Sequence, residues 1–404
     1  MCPGLAAHSL RTNCKIDFIL EVGLLLFSTF VIMAKKKKSW KSNSGAAAFR
    51  GKEDRIRETL TQIISGQSRL LHRPDELYEF IAQTIDDIED FKDVGLQLEL
   101  LAWTLRTDFL SFKADDEERD DWESLFYDAG TFFVELASQY DDKDYIADLV
   151  HDLALRHVGG EGRSVLFLSL NEVLPDEAAK KLIDELIATV TEVELQNRED
   201  IIDAITDMAD ALGDCERYTK AALLKDPDKS NATLIDIANE YFVAGNIELA
   251  KQWLGDVRDP GAEDEEAYLD LMAAIADKEG RKSDCLKIAN LLYEKFPKVI
   301  NLARLCQLVD EKQVDTLLSE HSSFRSGGNV DTEFMQLLLG MKRYSLLGKY
   351  IDMYEKDLPA EDAEILNGIS DELEKAGQKE LADHIREWTV EEPEEAQAFD
   401  NRDK

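Results

Sequence analysis

The chain has 404 residues, 47 of them basic and 84 acidic, with 44% hydrophobic side chains, 8 Pro and 21 Gly. That composition supplies one large or two moderate hydrophobic cores and excludes a disordered, collagen-like or disulfide-stapled chain. Residues 1–52 hold nine Lys/Arg and two Asp/Glu, which leaves 38 basic against 82 acidic residues in 53–404, so the body repels phosphate backbones and anionic lipids and favours basic or neutral partners.

Residues 1–52 form an apolar and then Lys-rich N-terminal segment. Val22 to Ala34 is thirteen residues without a charge, and Asp17 and Glu21 stop it short of a comfortable membrane span. Lys35 to Lys38 follow at once, which resists translocation and argues against a cleaved signal peptide. The preferred reading starts translation at Met33 and takes residues 1–32 as upstream sequence; the second makes residues 18–34 a membrane anchor with the body facing the cytoplasm. Either one leaves residues 53–404 cytoplasmic. Five Cys (Cys2, Cys14, Cys215, Cys285, Cys306), with no C-x-x-C spacing, fit a reducing compartment and buried free thiols.

From Lys52 onward the pattern predicts helices. Apolar residues recur at three and four, as in Leu77, Phe80, Ile81, Ile85, Ile88 and again in Leu96, Leu100, Leu101, Leu105. Pro74, Pro175, Pro227, Pro260, Pro297, Pro359 and Pro393 stand at helix boundaries. Residues 53–195 are expected to form an N-terminal helical lobe. Its one strand-like stretch, Val165 to Leu170, follows Gly159-Gly160-Glu161-Gly162 and is read as a short buried helix, since no partner strand is evident.

Residues 196–392 carry a repeat. Gly213, Gly245, Gly280 and Gly377 each end a helical pattern, the first three spaced by 32 and 35 residues, and five positions beyond them stand Tyr218, Ala250, Cys285 and Ala382. Glycine supplies a left-handed helix terminus, and a small residue lets the returning helix pass close. Residues 231–297 resemble tetratricopeptide repeats on Leu234, Ile237, Ala238, Tyr241, Gly245, Ala250 and Leu254, then Leu269, Met272, Ala273, Ala276, Gly280, Cys285, Ala289 and Pro297. The match is weakest over 298–358, where Gly340 keeps part of the pattern. Residues 393–404 read as an acidic flexible tail. The expected fold is all-α, a tetratricopeptide-like helical-repeat solenoid preceded by the N-terminal helical lobe.

Leu98 to Leu105, the helix Phe126 to Ala137, and Asn239 to Leu254 are similar to an uncharacterised bacterial helical family whose members can occur in association with SWIM-type zinc-finger proteins. The likeness spans residues 55–310. It implies a helical body and carries no reaction; the zinc signature C-x-C followed by C-x-H is absent from this sequence.

The residues that invite chemistry are few. His151 and His157, six apart, lie about 240° apart around a helix and cannot chelate together. His72 with His151-Asp152 faintly follows the H…HD pattern of helical metal-dependent phosphohydrolases, the competing reading. The acidic run Asp115 to Asp121 lacks the glycine and ligand order of a calcium loop and reads as a solvated loop and helix start at Trp122. Gly159 to Gly162 reads as a connector, and G-x-S-x-G and H-E-x-x-H are absent. Trp103, Trp122, Trp253 and Trp388, with Phe109, Phe112, Phe126, Phe132 and Phe133, are spaced as core residues. A charged clamp for a partner's C-terminal carboxylate is not expected, because Ile235, Ala267 and Leu271 occupy positions beside Asn239 that would need polar side chains. The sequence therefore predicts no catalytic residue, no metal ligand and no cofactor. It predicts a protein-protein scaffold that docks a basic or neutral segment and does not bind nucleic acid.

Overall fold

The computed structural model describes residues 46–114, 116–324, 330–355, 358 and 363–389. The N-terminal segment with its apolar run, Asp115, Pro359 and the acidic tail lie outside the described residues. Among those described the chain is helical, with no strand.

Short polar side chains start many of the helices. Asp93, Asp142, Asp214, Ser230, Asn246 and Asp331 each accept a hydrogen bond from the backbone N–H three residues on, which satisfies a donor the first turn cannot pair internally. Pro74 opens a helix, where its missing N–H costs nothing.

The described chain falls into two compact units, one through Asp264 and one from Glu265 onward. In the first, α1 (Ala46–Ile64), α2 (Pro74–Glu89), α3 (Val94–Leu105), α4 (Asp116–Gln139) and α5 (Lys143–Leu155) are followed by α6 (Glu161–Leu168), α7 (Leu170–Val173) and α8 (Asp176–Glu192). The unit continues through α9 (Arg198–Ala211), α10 (Cys215–Lys225), α11 (Asn231–Val243) and α12 (Ile247–Leu254). Val165 to Leu168 ends one helix and Leu170 begins the next across a turn at Ser169, with no strand, as its lack of a partner strand implies. One hydrophobic core runs from Ile56 to Ala221. The change of character that the sequence places at 195/196 lies inside that core, because Ile201, Ile202, Ile205 and Met208 of α9 are fully buried with the residues of α3 to α8. The two compact units divide at 264/265 instead.

The second unit contains most of α13 (Ala262–Lys278), then α14 (Lys282–Lys295), α15 (Val299–Leu308), α16 (Glu311–Phe324), α17 (Thr332–Gly340), α18 (Tyr344–Tyr354), α19 (Ala363–Lys375) and α20 (Lys379–Thr389). Its core includes a run of rings, Tyr293, His321, Phe334, Tyr350 and Tyr354, with successive centroids 5.9, 4.7, 5.1 and 4.7 Å apart. The Tyr293 hydroxyl lies 2.9 Å from His321 Nδ1, and the Asp331 N–H donates to the Tyr350 hydroxyl at 3.0 Å.

The repeat is written in the corners. Five hairpins, α9–α10, α11–α12, α13–α14, α17–α18 and α19–α20, are each joined by three residues whose middle member is left-handed: Gly213, Gly245, Gly280, Lys342 and Gly377, with φ of 60, 81, 71, 57 and 77°. In every corner the third residue donates its N–H to the carbonyl five residues back (Asp214 to Ala209, Asn246 to Tyr241, Arg281 to Ala276, Arg343 to Leu338, Gln378 to Leu373), at 2.8 to 2.9 Å. The middle residue donates three back, completing a Schellman end, and the third residue then serves as N-cap of the returning helix. The helices cross closely at small residues. Cys285 Sγ lies 4.0 Å from the Ala273 carbonyl, and Ser370 Oγ donates to the Ala382 carbonyl at 2.9 Å. Together these hairpins make the fold an all-α helical repeat.

The weak stretch 298–358 has two causes. Asp310 and Gln313 cap α16 reciprocally, each accepting the other's backbone N–H, so that corner needs no glycine. The next corner turns at Lys342, two residues beyond Gly340, which itself is the last residue of α17. A lysine there bears the steric cost of its Cβ. Lys342→Gly is therefore expected to raise stability by about 0.5–1 kcal/mol, and Gly245→Ala to lower it by a similar amount. Urea unfolding midpoints at constant m-value check both.

Candidate interaction surface

Helix α9 carries Asp200, Asp203, Asp207 and Asp210 at i, i+3, i+7 and i+10, one stripe of a 3.6-residue helix whose opposite side, Ile201, Ile205 and Met208, is in the core. Asp236 and Glu240, one turn apart on α11, add two more carboxyls. Asp203 pairs with Lys225, and Asp200 feels Arg163 and Lys225 from a distance, yet burial and then Asp203 and Glu199 hold its carboxyl above the ordinary range.

The stripe and α11 meet at Tyr218 of α10. Burial, then the charges of Asp236, Glu240, Asp210 and Asp207, push the tyrosine hydroxyl well up. Glu240 is raised to about 7, first by burial, then by the negative charges of Asp210 and Asp236. Cys215 Sγ lies 3.4 Å from the Glu240 carbonyl, and burial pushes its thiol up as well. Tyr218 occupies the position that is Ala250, Cys285 or Ala382 in three of the other hairpins and Leu347 in the fourth, so the crossing here holds a half-buried ring.

A second group of charges is enclosed. Asp108, in the 3₁₀ segment Asp108–Lys113, and Arg163 of α6 are 0% and 1% exposed. Arg163 grips the carboxylate with both edges of its fork, Nε to Oδ2 at 2.9 Å and Nη2 to Oδ1 at 2.5 Å, and its Nη1 donates to the carbonyls of Arg156 and Leu153. Burial pushes the Asp108 carboxyl up and the Arg163 charge opposes it. His157 is buried beside them, edge-on to Phe167 at 5.1 Å, and burial together with Arg163 lowers its imidazole to about 3. Asn197 ties the end of α5 down by donating to the carbonyls of Leu155 and His157.

The glycine connector gains its reason here. A Cβ on Gly160 would sit 2.0 to 2.3 Å from the Asp108 carboxyl group, and one on Gly162 2.7 Å from the Phe126 carbonyl. Across the same crossing a Cβ on Gly130 would lie 2.3 Å from the Gly162 oxygen. The connector closes over an internal ion pair and lets α4 and α6 touch backbone to backbone.

The residues of the hydrolase reading are placed as follows. His72 ends the 3₁₀ turn Arg69–His72, and His151 and Asp152 lie on α5. The Asp152 carboxylate is held by Arg106 and, at 3.0 Å, by Arg156, while Arg106 stacks on Trp103 with its guanidinium carbon 4.3 Å from the ring centre. Among the described residues no three His, Cys, Asp or Glu side chains converge as metal ligands do. The acidic run leads into α4, where Trp122, Phe126 and Phe133 are buried as expected. Phe112 departs from expectation at 51% exposed, beside Gly159. The side chain of Trp388 lies outside the described residues. Cys285 and Cys306 are buried free thiols, Cys306 raised to about 11 by burial, and Cys215 is half-buried. No described helix is long and apolar enough to cross a membrane.

No protein-family model matches the chain, and no curated protein matches it. Among solved structures it is similar to a circular tandem repeat protein with novel repeat topology and enhanced subunit contact surfaces, at 13% identity over 85% of this chain and 76% of that one, with a TM-score of 0.20. A likeness at that score carries no argument, and the helical-repeat description rests on the corners themselves.

Proposed function

We propose that this chain is a non-enzymatic, cytoplasmic scaffold that docks a basic protein segment on the acidic side of its helical hairpins. The observation that carries the reading is the carboxylate stripe of α9, joined by Asp236 and Glu240 of α11. Its spacing of three and four residues matches that of Lys and Arg on one face of a partner helix. Val243, 49% exposed one turn beyond Asn239, offers an apolar contact at the edge of the stripe. Such a surface gives rapid, salt-sensitive association, with specificity left to the apolar contacts. Membership of the bacterial helical family belongs to the same proposal.

The test uses a fluorescent helical peptide with Lys or Arg on one face, titrated with the full chain. The triple variant Asp207→Asn/Asp210→Asn/Asp236→Asn is expected to weaken binding at least about tenfold at low salt and to flatten its salt dependence. Equal binding by the triple variant and the parent would overturn the proposal.

A further inference from the structure

Phe112 is exposed although its spacing is that of a core residue, and the chain holds it there from below. The 3₁₀ segment that carries it is pinned by buried neighbours: Asp108 sits in the fork of Arg163, Leu110 and Ser111 are buried, and the Ser111 hydroxyl donates to the Asp108 carbonyl at 2.9 Å. The connector is pinned as well, because Asn197 at the start of α9 donates to the carbonyls of Leu155 and His157 at 3.0 and 2.9 Å. Val158 and Gly159 follow that anchor directly, Val158 39% exposed and Gly159 left-handed with φ of 80°. Asp200 stands in the first turn of α9. A Cβ on Gly159 would lie 3.8 Å from Phe112 Cζ and 3.8 Å from Asp200 Oδ1, so the glycine leaves open a point within van der Waals reach of both an exposed ring and a carboxylate. Among the described residues Asp200 has no ion pair: the two cations near enough to act on it, Arg163 and Lys225, are engaged by Asp108 and Asp203.

We propose that Phe112, Val158, Gly159 and Asp200 form an arginine socket, the anchor point for one Arg side chain of a docked basic protein segment. The socket presupposes the docking proposed above and names the side chain received at the N-terminal end of the α9 stripe, of which Asp200 is the first carboxylate. The chemistry selects arginine. Its methylenes can cover Phe112 and Val158 across the bare backbone of Gly159, while its planar fork meets the Asp200 carboxylate with two parallel hydrogen bonds; lysine brings a single point charge and no fork. Glu199 and Asp203 add negative charge beside Asp200, which favours a cation there and repels an anion. Both walls are fixed by the buried frame beneath them, so occupation orders few groups of this chain and more of the contact energy appears as affinity.

The experiment titrates two fluorescent helical peptides with the full chain at low salt, identical except that one face carries Arg in the first and Lys in the second. The parent is expected to bind the Arg peptide about tenfold more tightly. Phe112→Ala and Asp200→Asn should each erase that preference, with about a tenfold loss for the Arg peptide and less than about threefold for the Lys peptide. Phe112→Leu keeps an apolar side chain and should keep the preference. Asp200→Asn, an isosteric change at a helix start, carries the test alone if Phe112→Ala lowers the melting temperature. The triple variant Asp207→Asn/Asp210→Asn/Asp236→Asn should weaken both peptides together and leave the preference in place. An Arg preference that is missing in the parent, or that survives in a folded Phe112→Ala or Asp200→Asn variant, overturns the socket, and docking then stands on the loss in the triple variant. Failure of the parent to bind either peptide overturns docking and socket together.

Discussion

Replacing Asp108 with alanine is expected to destabilise the first unit by about 3–5 kcal/mol, a large fraction of the stability of an ordinary domain. Arg163 would keep its charge in a site 1% exposed, with its fork empty and only the Arg156 and Leu153 carbonyls as partners. Gly160 closes the connector over Asp108 at a distance where no other residue fits. The size of the loss reflects the abandoned charge more than the worth of the pair, and a double replacement separates the two. Asp108→Leu together with Arg163→Met removes both charges and should recover much of the loss. Urea unfolding of the parent, the single variant and the double variant gives the comparison. A single variant within about 1 kcal/mol of the parent would show that the pair is solvated in solution.

The second large effect is on acid stability. His157 takes a proton near 3 in the folded chain, against 6.5 ordinarily. Between those values the unfolded chain binds a proton that the folded chain refuses, so the stabilisation is fully present above 6.5 and is lost as pH falls toward 3. The whole window amounts to about 4–5 kcal/mol, with about 2 kcal/mol falling between pH 7 and pH 5, before most carboxylates titrate. Glu240 works in the other direction over nearly the same range, gaining stability as pH falls from about 7 toward 4.5. The parent's profile should therefore be shallow, and the variants should reveal its two parts. His157→Gln is expected to become more stable as pH falls from 7 to 5, whereas Glu240→Gln should lose stability more steeply than the parent. Parallel profiles for the parent and both variants would contradict this account.

How much of this could be read from the sequence depended on whether a feature is local. Gly213, Gly245, Gly280 and Gly377 were legible because a left-handed helix end selects glycine, and that selection shows in a single residue type. Lys342 adopts the same conformation without the glycine, and Gly340 stands two residues earlier, out of register with the other corners. The helical reading of Val165 to Leu170 followed from the lack of a partner strand. The Asp108–Arg163 pair was hidden, since its members lie 55 residues apart and Asp108 is one acidic residue among 84. The connector glycines hinted at close packing without naming what they cover. Abundance also masked the α9 stripe, because a periodic aspartate pattern carries little information in a chain this acidic. The boundary at 195/196 followed a change in pattern quality, whereas the core follows contacts, and α9 is both the first repeat helix and part of the wall behind α6 and α8.

The three-residue corner has a consequence for how such a chain can change over generations. Around Gly213, Gly245, Gly280 and Gly377 a Cβ would meet nothing within 4 Å, so these corners depend on backbone conformation and not on any neighbour's shape. A turn that makes no demand on its surroundings can be duplicated or deleted along with its two helices without a matching change elsewhere. Lineages built on it are free to vary in the number of hairpins they display, and can acquire new binding specificities by adding units in place of redesigning old ones.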